Sequence, residues 1–223
     1  DCLDKDGIWH FEQSYMPMMI KNVSYDTICH EHLEYYSLKS TKYILSKTDF
    51  KIIDIQLNKI NGGSFAVTVA KKKSKRFKKS KLVDWLQKKE DMYNFNSLKT
   101  IKSFALNVHK HKKLFKDLIL NLNDMGKKVI GYGASTKGNV ILQFCGIGDK
   151  LMPYIVDVNP YKRNKYTPGT KIKIINDEDF KKKDFDYMVA LPWHFRDFII
   201  EKEKKYLKKG KKIIFPLPDI EII

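Results

Sequence analysis

An α/β fold with a Rossmann-like, parallel sheet in its C-terminal part is predicted from three observations. From Lys127 onward, short apolar runs alternate with helix-length segments. Those runs are continuous rather than alternating, as in strands covered on both faces by helices. A small-residue turn, Gly131-Tyr132-Gly133-Ala134-Ser135-Thr136-Lys137-Gly138-Asn139, lies where the first run ends and a helix begins. In such sheets ligands gather at the carboxyl ends of the strands.

In chain order, Asp4-Lys5-Asp6-Gly7 reads as a turn and Ile8 to Glu12 as a strand. Ser37 before Leu38 has the form of a helix start, and Leu38 to Ser46 the pattern of a helix with Tyr43, Ile44 and Leu45 partly buried. A hairpin follows, with Ile52 to Ile55 as its first strand and Asn61-Gly62-Gly63-Ser64 in its turn region. Phe65, Val67 and Val69 alternate along the return strand. This defines a first unit over residues 1–70. Residues 71–125 read as a lysine-rich linker, Lys71 to Lys81, and two bridging helices. The shorter carries Leu82, Val83 and Leu86; the longer carries Leu98, Ile101, Phe104, Val108, Phe115, Leu118 and Leu122. His109 and His111, spaced by two in the longer helix, are expected at the surface. Residues 126–223 hold strands at Val129 to Tyr132, Tyr154 to Asp157, Tyr187 to Leu191 and Lys212 to Phe215, with helices at Gly138 to Cys145 and Phe195 to Leu207.

With 223 residues, 43% of them hydrophobic and 13% aromatic, the chain is expected to fold around a good core. Neither an apolar run of membrane-spanning length nor a leader-like N-terminus is visible, and no membrane partner is expected. Cys2, Cys29 and Cys145 form no Cys-x-x-Cys pair, so neither a disulfide framework nor a local metal site is expected, and a reducing cytoplasm is the expected location. A formal charge of +17 raises nucleic acid as a partner. Yet of 43 basic residues only Arg76, Arg163 and Arg196 are arginine, the residue whose planar fork reads bases and phosphates. The lysines decorate nearly every element, so the expectation is a solvated basic surface without a nucleic-acid partner.

Residues 25–37 concentrate proton-transfer chemistry: Tyr25, Asp26, His30, Glu31, His32, Glu34, Tyr35 and Tyr36. A histidine titrates near neutrality, a carboxylate can orient it, and a phenol can donate to a developing oxyanion, the set needed to remove a proton next to a carbonyl. His30-Glu31-His32 does not place two imidazoles one helical turn apart, so a zinc protease is not expected. The plain alternative is a helix cap and a polar shell. The glycine turn has the spacing Gly-x-Gly-x-x-x-x-Gly, which matches neither the dinucleotide fingerprint nor the Walker loop. Its small residues before a helix favour phosphate binding over a merely tight turn. Asp157 stands where a ribose-binding acid would, or simply begins the turn before Asn159-Pro160.

Phe11-Glu12-Gln13-Ser14-Tyr15, then Tyr25 to His32 with Tyr35-Tyr36-Ser37, then Asn61 to Ser64, the Gly131 to Asn139 turn, Asp157-Val158-Asn159-Pro160 and Thr167-Pro168-Gly169 occur in an order that resembles the S-adenosylmethionine-dependent sugar C-methyltransferases. The resemblance spans essentially the whole chain. It implies methylation of a carbon of a nucleotide-diphosphate keto-deoxysugar. Residues 1–70 would be the trailing part of a class I methyltransferase core, and residues 126–223 a Rossmann-like domain that helps hold the nucleotide sugar. S-adenosylmethionine would be bound mainly by a part expected upstream of Asp1, zinc only in that same part, and the present chain alone would be inactive. By this resemblance His32 is the general base, Glu31 binds sugar or orients the imidazole, and Tyr36 is a candidate phenol. Tyr15, His30, Asn61, Gly63, Ser64, Gly133, Ser135, Lys137, Asn139 and Asp157 would contact substrate, with Ser135, Lys137 and Asn139 on the diphosphate. Cys29 stands where members often carry tyrosine, and Ala66 where they often carry a basic residue. Two alternatives remain, an NAD(P)-dependent sugar oxidoreductase and a noncatalytic nucleotide-sugar-binding module; oligomeric state is left open.

Overall fold

Two units make up the chain in a computed structural model that describes residues 2–223. One comprises Asp1–Lys21 and Leu33–Phe104, the other Asn22–His32 and Ala105–Ile223.

The first unit contains β1 (Ile8–Ser14), α1 (Met16–Lys21), α2 (Leu38–Ser46), β2 (Phe50–Asn58), β3 (Ser64–Lys71), α3 (Lys81–Tyr93) and the first turns of α4 (Leu98–Asp124). Its sheet has the order β1-β3-β2, with β3 antiparallel to both neighbours. The alternating Phe65, Val67 and Val69 are fully buried in β3, where they meet Leu38 and Leu45 of α2 and Val83 and Leu86 of α3 in one cluster. The pairing of β2 is irregular between Ile52 and Asp54, leaving Ile53 out of register.

A single carboxylate organises this core. Glu90 of α3 is 1% exposed. It accepts the Tyr15 hydroxyl at 2.8 Å and the backbone N–H groups of Leu38 and Lys39 at 2.6 and 3.0 Å. It thereby satisfies two donors at the start of α2 that the helix itself cannot, and places negative charge at the positive end of the helix dipole. Ser37 completes the cap by accepting from the Ser40 N–H.

The second unit begins with a 3₁₀ turn at Tyr25–Thr27 and takes up the rest of α4. It continues with β4 (Val129–Tyr132), α5 (Thr136–Cys145), β5 (Tyr154–Val156), β6 (Lys173–Ile175), α6 (Asp177–Lys181), β7 (Tyr187–Ala190), α7 (Arg196–Lys202), α8 (Lys204–Leu207), β8 (Lys212–Phe215) and β9 (Glu221–Ile222). The sheet order is β6-β5-β4-β7-β8-β9, parallel except at β9. This is the expected Rossmann-like arrangement. Val108, His111, Phe115, Ile119 and Leu122 recur at helical spacing on the buried stripe of α4. No helix among the described residues is long and apolar enough to cross a membrane.

Several expectations need correction. The linker and α3 belong with the first unit, and residues 22–32 belong with the second. The helix expected over Phe195 to Leu207 breaks into α7 and α8 at Glu203, whose side chain is buried. His111 is 8% exposed rather than a surface residue.

Replacing Glu90 with alanine would strand the Tyr15 hydroxyl and two backbone N–H groups without partners. Glu90→Ala is expected to lower stability by about 3 kcal/mol, measured as an earlier urea midpoint with unchanged slope.

Candidate active site

The His-Glu-His segment is a turn in which the His32 N–H donates to the Cys29 carbonyl at 3.0 Å. Two buried side chains just before it hold it to the rest of the second unit. The Tyr25 hydroxyl lies 3.1 Å from His111 Nδ1, and His111 Nε2 faces the Pro216 carbonyl. A carbonyl only accepts, so Nε2 carries the proton and Tyr25 donates to Nδ1. The Tyr25 oxygen also meets the Cys145 thiol at 3.3 Å. Asp26 is 0% exposed, and its Oδ2 accepts the Trp193 indole N–H at 2.8 Å from the loop after β7. Next in the turn, Glu31 Oε1 accepts the Thr136 hydroxyl at 3.2 Å, at the first residue of α5.

Lys137, one residue further into α5, is the electrostatic focus. Burial raises the Asp26 pKa, while the Trp193 hydrogen bond and the Lys137 ammonium pull it down. Burial first, then Lys137, lowers the pKa of His32; Glu31 and Asp26 act in the opposite direction. His194 falls to about 4 through burial and the same lysine. Both imidazoles, the half-buried His32 included, are therefore held below the ordinary histidine pKa. Asp26 Oδ1, Asn139 Oδ1, His194 Nδ1 and Ser24 Oγ are buried without a hydrogen-bond partner among the described residues. Unpaired buried polar atoms are costly, and such atoms collect where a ligand is to be met.

The glycine turn gains its shape from packing. Gly133 has φ +82°, and a Cβ there would fall 2.7 Å from Pro192. A Cβ on Gly138 would fall 2.8 Å from Leu191. These glycines seat α5 against the loop after β7. Ser135 caps the helix by accepting from the Gly138 N–H at 3.0 Å. Asp157, read as a ribose-binding acid or the start of a turn, accepts the Asn159 N–H at 2.9 Å and pairs with Lys162 at 3.2 Å. Lys162 also donates to the Ala134 carbonyl at 2.8 Å, tying the β4 and β5 loops together.

Of the residues singled out from sequence, His30, Glu31, His32, Gly133, Ser135, Lys137, Asn139 and Asp157 lie in the second unit. His30 and Glu31 are exposed. Tyr15, Tyr36, Asn61, Gly63 and Ser64 lie in the first. Tyr15 is buried, and its hydroxyl donates to Glu90. Ser64 is buried and donates to the Ile60 carbonyl at 3.1 Å, while Asn61 and Gly63 take positive φ in the turn. Tyr36 is half-buried; burial, Glu34 and a hydrogen bond to that carboxylate raise its pKa. Asp26, Trp193 and His194 were not singled out as site residues. Asp26 lay in the flagged stretch, and Pro192-Trp193-His194 directly follows an apolar strand, the position where ligands are met. Among the described residues, no three His, Cys, Asp or Glu side chains gather to hold a metal ion.

Two titrations test this electrostatic arrangement. In NMR spectra of the 223-residue chain, His32 is expected to titrate below its ordinary value, to move up in Lys137→Ala and to move further down in Asp26→Asn. Unchanged resonances in both variants would refute the coupling. A histidine with a lowered folded pKa adds stability above its unfolded value, which is lost as the unfolded chain takes up a proton the fold refuses. The His194 share of stability should therefore decline from about pH 6.5 towards about 4. The stability difference between wild type and His194→Asn, measured by denaturation across that range, should carry this slope.

A family model described as the C-methyltransferase C-terminal domain matches residues 59–218. The chain is also 29% identical over 221 residues to the C-methyltransferase NovU of Streptomyces niveus, an alignment covering 99% of this chain and 52% of that relative. It thus spans about half the length of the curated relative it matches. Since the family model covers most of the chain, including β4 with its glycine turn and the β7 loop that anchors Asp26, the chain belongs to the C-methyltransferase family through that C-terminal domain.

Proposed function

We propose that this chain is the substrate-holding and proton-abstracting part of an S-adenosylmethionine-dependent methyltransferase acting on a carbon beside the keto group of a nucleotide-diphosphate deoxysugar. The observation that carries the reading is the turn bearing His32, fastened by the Thr136 bond to Glu31 and the Trp193 bond to Asp26 beside the start of α5, where Lys137 stands.

His32 takes the proton from the carbon next to the carbonyl, and Glu31, steadied by Thr136, orients the imidazole or the sugar. The electron pair moves onto the carbonyl oxygen, which needs a donor already in place. Within the second unit, His194 can serve as that donor. It is neutral, lies near Lys137, and has a buried Nδ1 with no partner among the described residues. Lys137, with Asn139, serves the diphosphate as a point charge and a side-chain amide. The sugar carbon then carries the electron pair for the new carbon–carbon bond.

S-adenosylmethionine supplies an electrophilic methyl group when bound. The glycine turns do not fit its adenosine: a Cβ on Gly63 would lie 2.5 Å from Met18 and one on Gly133 2.7 Å from Pro192, so both are filled by the chain. Asp157, the acid that would take a ribose diol, is held by Lys162 and the Asn159 N–H. The side chains of this chain are therefore assigned to the sugar and its proton. The same engagement of Asp157 argues against an NAD(P)-dependent oxidoreductase, which needs that carboxylate for its own ribose.

In an enzyme carrying this chain behind a complete donor-binding half, His32→Ala should lower turnover by roughly 100- to 10,000-fold while nucleotide-sugar affinity stays nearly intact. Equal loss of both would sink the base assignment. Full turnover in His32→Ala would favour the noncatalytic binding module.

A further inference from the structure

A chain of polar groups runs through the core of the second unit. The Cys145 thiol, the Tyr25 hydroxyl, the His111 imidazole and the Pro216 carbonyl follow one another at hydrogen-bond distance, drawn from α5, the 3₁₀ turn, α4 and the segment after β8. They are enclosed: Tyr25 is 2% exposed and Cys145 is fully buried. The Tyr25 ring lies 5.2 Å from that of Phe144, and the His111 ring stacks on Phe115 at 5.7 Å. Hydrocarbon side chains would fill such a place at less cost, whereas a satisfied polar chain fixes one arrangement of the parts it joins.

This chain has two polarities. With Nε2–H on the Pro216 carbonyl and Nδ1 bare, Tyr25 donates to Nδ1 and accepts from the thiol, so every member is satisfied. A second proton on His111 occupies Nδ1. The Tyr25 hydroxyl must then turn and donate to sulfur, a weak acceptor, and the thiol loses its own acceptor. Burial favours the first polarity by lowering the His111 pKa, while the Pro216 carbonyl and Asp219 act in the opposite direction. The other charged groups bearing on the chain are Asp26, which acts on Tyr25, and Lys112 and Lys116 of α4, which act on Cys145.

Successive turns link Tyr25 to His32. The Ile28 N–H donates to the Tyr25 carbonyl at 2.9 Å, the Cys29 N–H to the Thr27 carbonyl at 3.0 Å and the His32 N–H to the Cys29 carbonyl at 3.0 Å. We infer that His111 is a positioning residue for His32, acting through the Tyr25 hydroxyl: its singly protonated ring holds the first of these turns, and a second proton on it lets the turn go. This role rests on the proposed function, to which it adds the group that sets where the base stands and an acid limit on its placement.

Titration of the histidine rings by NMR in the 223-residue chain tests this role. Besides its own inflection, His32 should show a second one at the pH where His111 titrates. A direct electrostatic effect would give the same second inflection but would survive Tyr25→Phe. Loss of the hydroxyl should instead abolish it while His111 still titrates. Should Tyr25→Phe fail to melt cooperatively, Cys145→Ala removes only the sulfur that receives the turned hydroxyl and leaves the Tyr25–His111 bond. The His111 inflection and the second one at His32 should then move together to lower pH. A single inflection at His32 in the wild type, a second one that persists in Tyr25→Phe, or no joint movement in Cys145→Ala overturns the role of His111. In an enzyme carrying this chain behind a complete donor-binding half, Tyr25→Phe should lower kcat by up to about 100-fold and leave KM nearly unchanged. If the two histidines are coupled and kcat is unchanged, the positioning stands and His32 is not the base. If they are uncoupled and His32→Ala still abolishes turnover, the positioning falls and the proposed function stands.

Discussion

The hydrogen bond from the Trp193 indole to the buried Asp26 carboxylate is the contact on which the candidate site depends. It spans 167 residues of sequence and fastens the turn bearing His32 to the loop after β7. An aspartate removed from water is costly unless it is paired, and here one oxygen has a donor while the other has none among the described residues. Folding alone would favour a neutral residue at this position. That a charge-prone group is kept there fits a site built for chemistry at some expense to stability.

Around this anchor, charge is distributed asymmetrically. One cation, Lys137, bears on two imidazoles and a carboxylate, and it stands in the first turn of α5, where backbone dipoles also favour an anion. Burial first, and this cation second, lowers the pKa of both histidines. The helix is held in place by small residues at Gly133 and Gly138, whose missing side chains let it approach Pro192 and Leu191. Packing and electrostatics thus meet in one nine-residue stretch of sequence, Gly131 to Asn139.

Much of the architecture was legible because it is local. The capped helix α2, the strands β4, β7 and β8 and the long α4 follow from runs of residues whose period and caps lie within a few turns. The three-residue β6, the five-residue α6 and the two-residue β9 are too short to carry a period. Membership of residues 22–32 in the second unit was not legible, because it rests on partners 86 to 167 positions away. His111 read as a surface residue because a histidine beside lysines on a helix gives no sign that a tyrosine and a carbonyl await it. Lys137 was legible through its place in the turn. His194 was not, since its significance comes from burial and from Lys137, both set by the fold.

The path of the chain between the units has a further consequence. It passes from the first to the second at Asn22, returns at Leu33 and crosses again at Ala105, so neither unit is one uninterrupted stretch. A shortened protein starting at Ala105 would retain every strand of the six-stranded sheet yet carry no His32 and leave the Trp193 N–H without its carboxylate. Contacts of such long sequence separation form late, after the entropy of closing large loops has been overcome. The turn bearing His32 is therefore completed only when residues 22–32 and the loop after β7 are both in place, and it cannot be excised as a self-contained module.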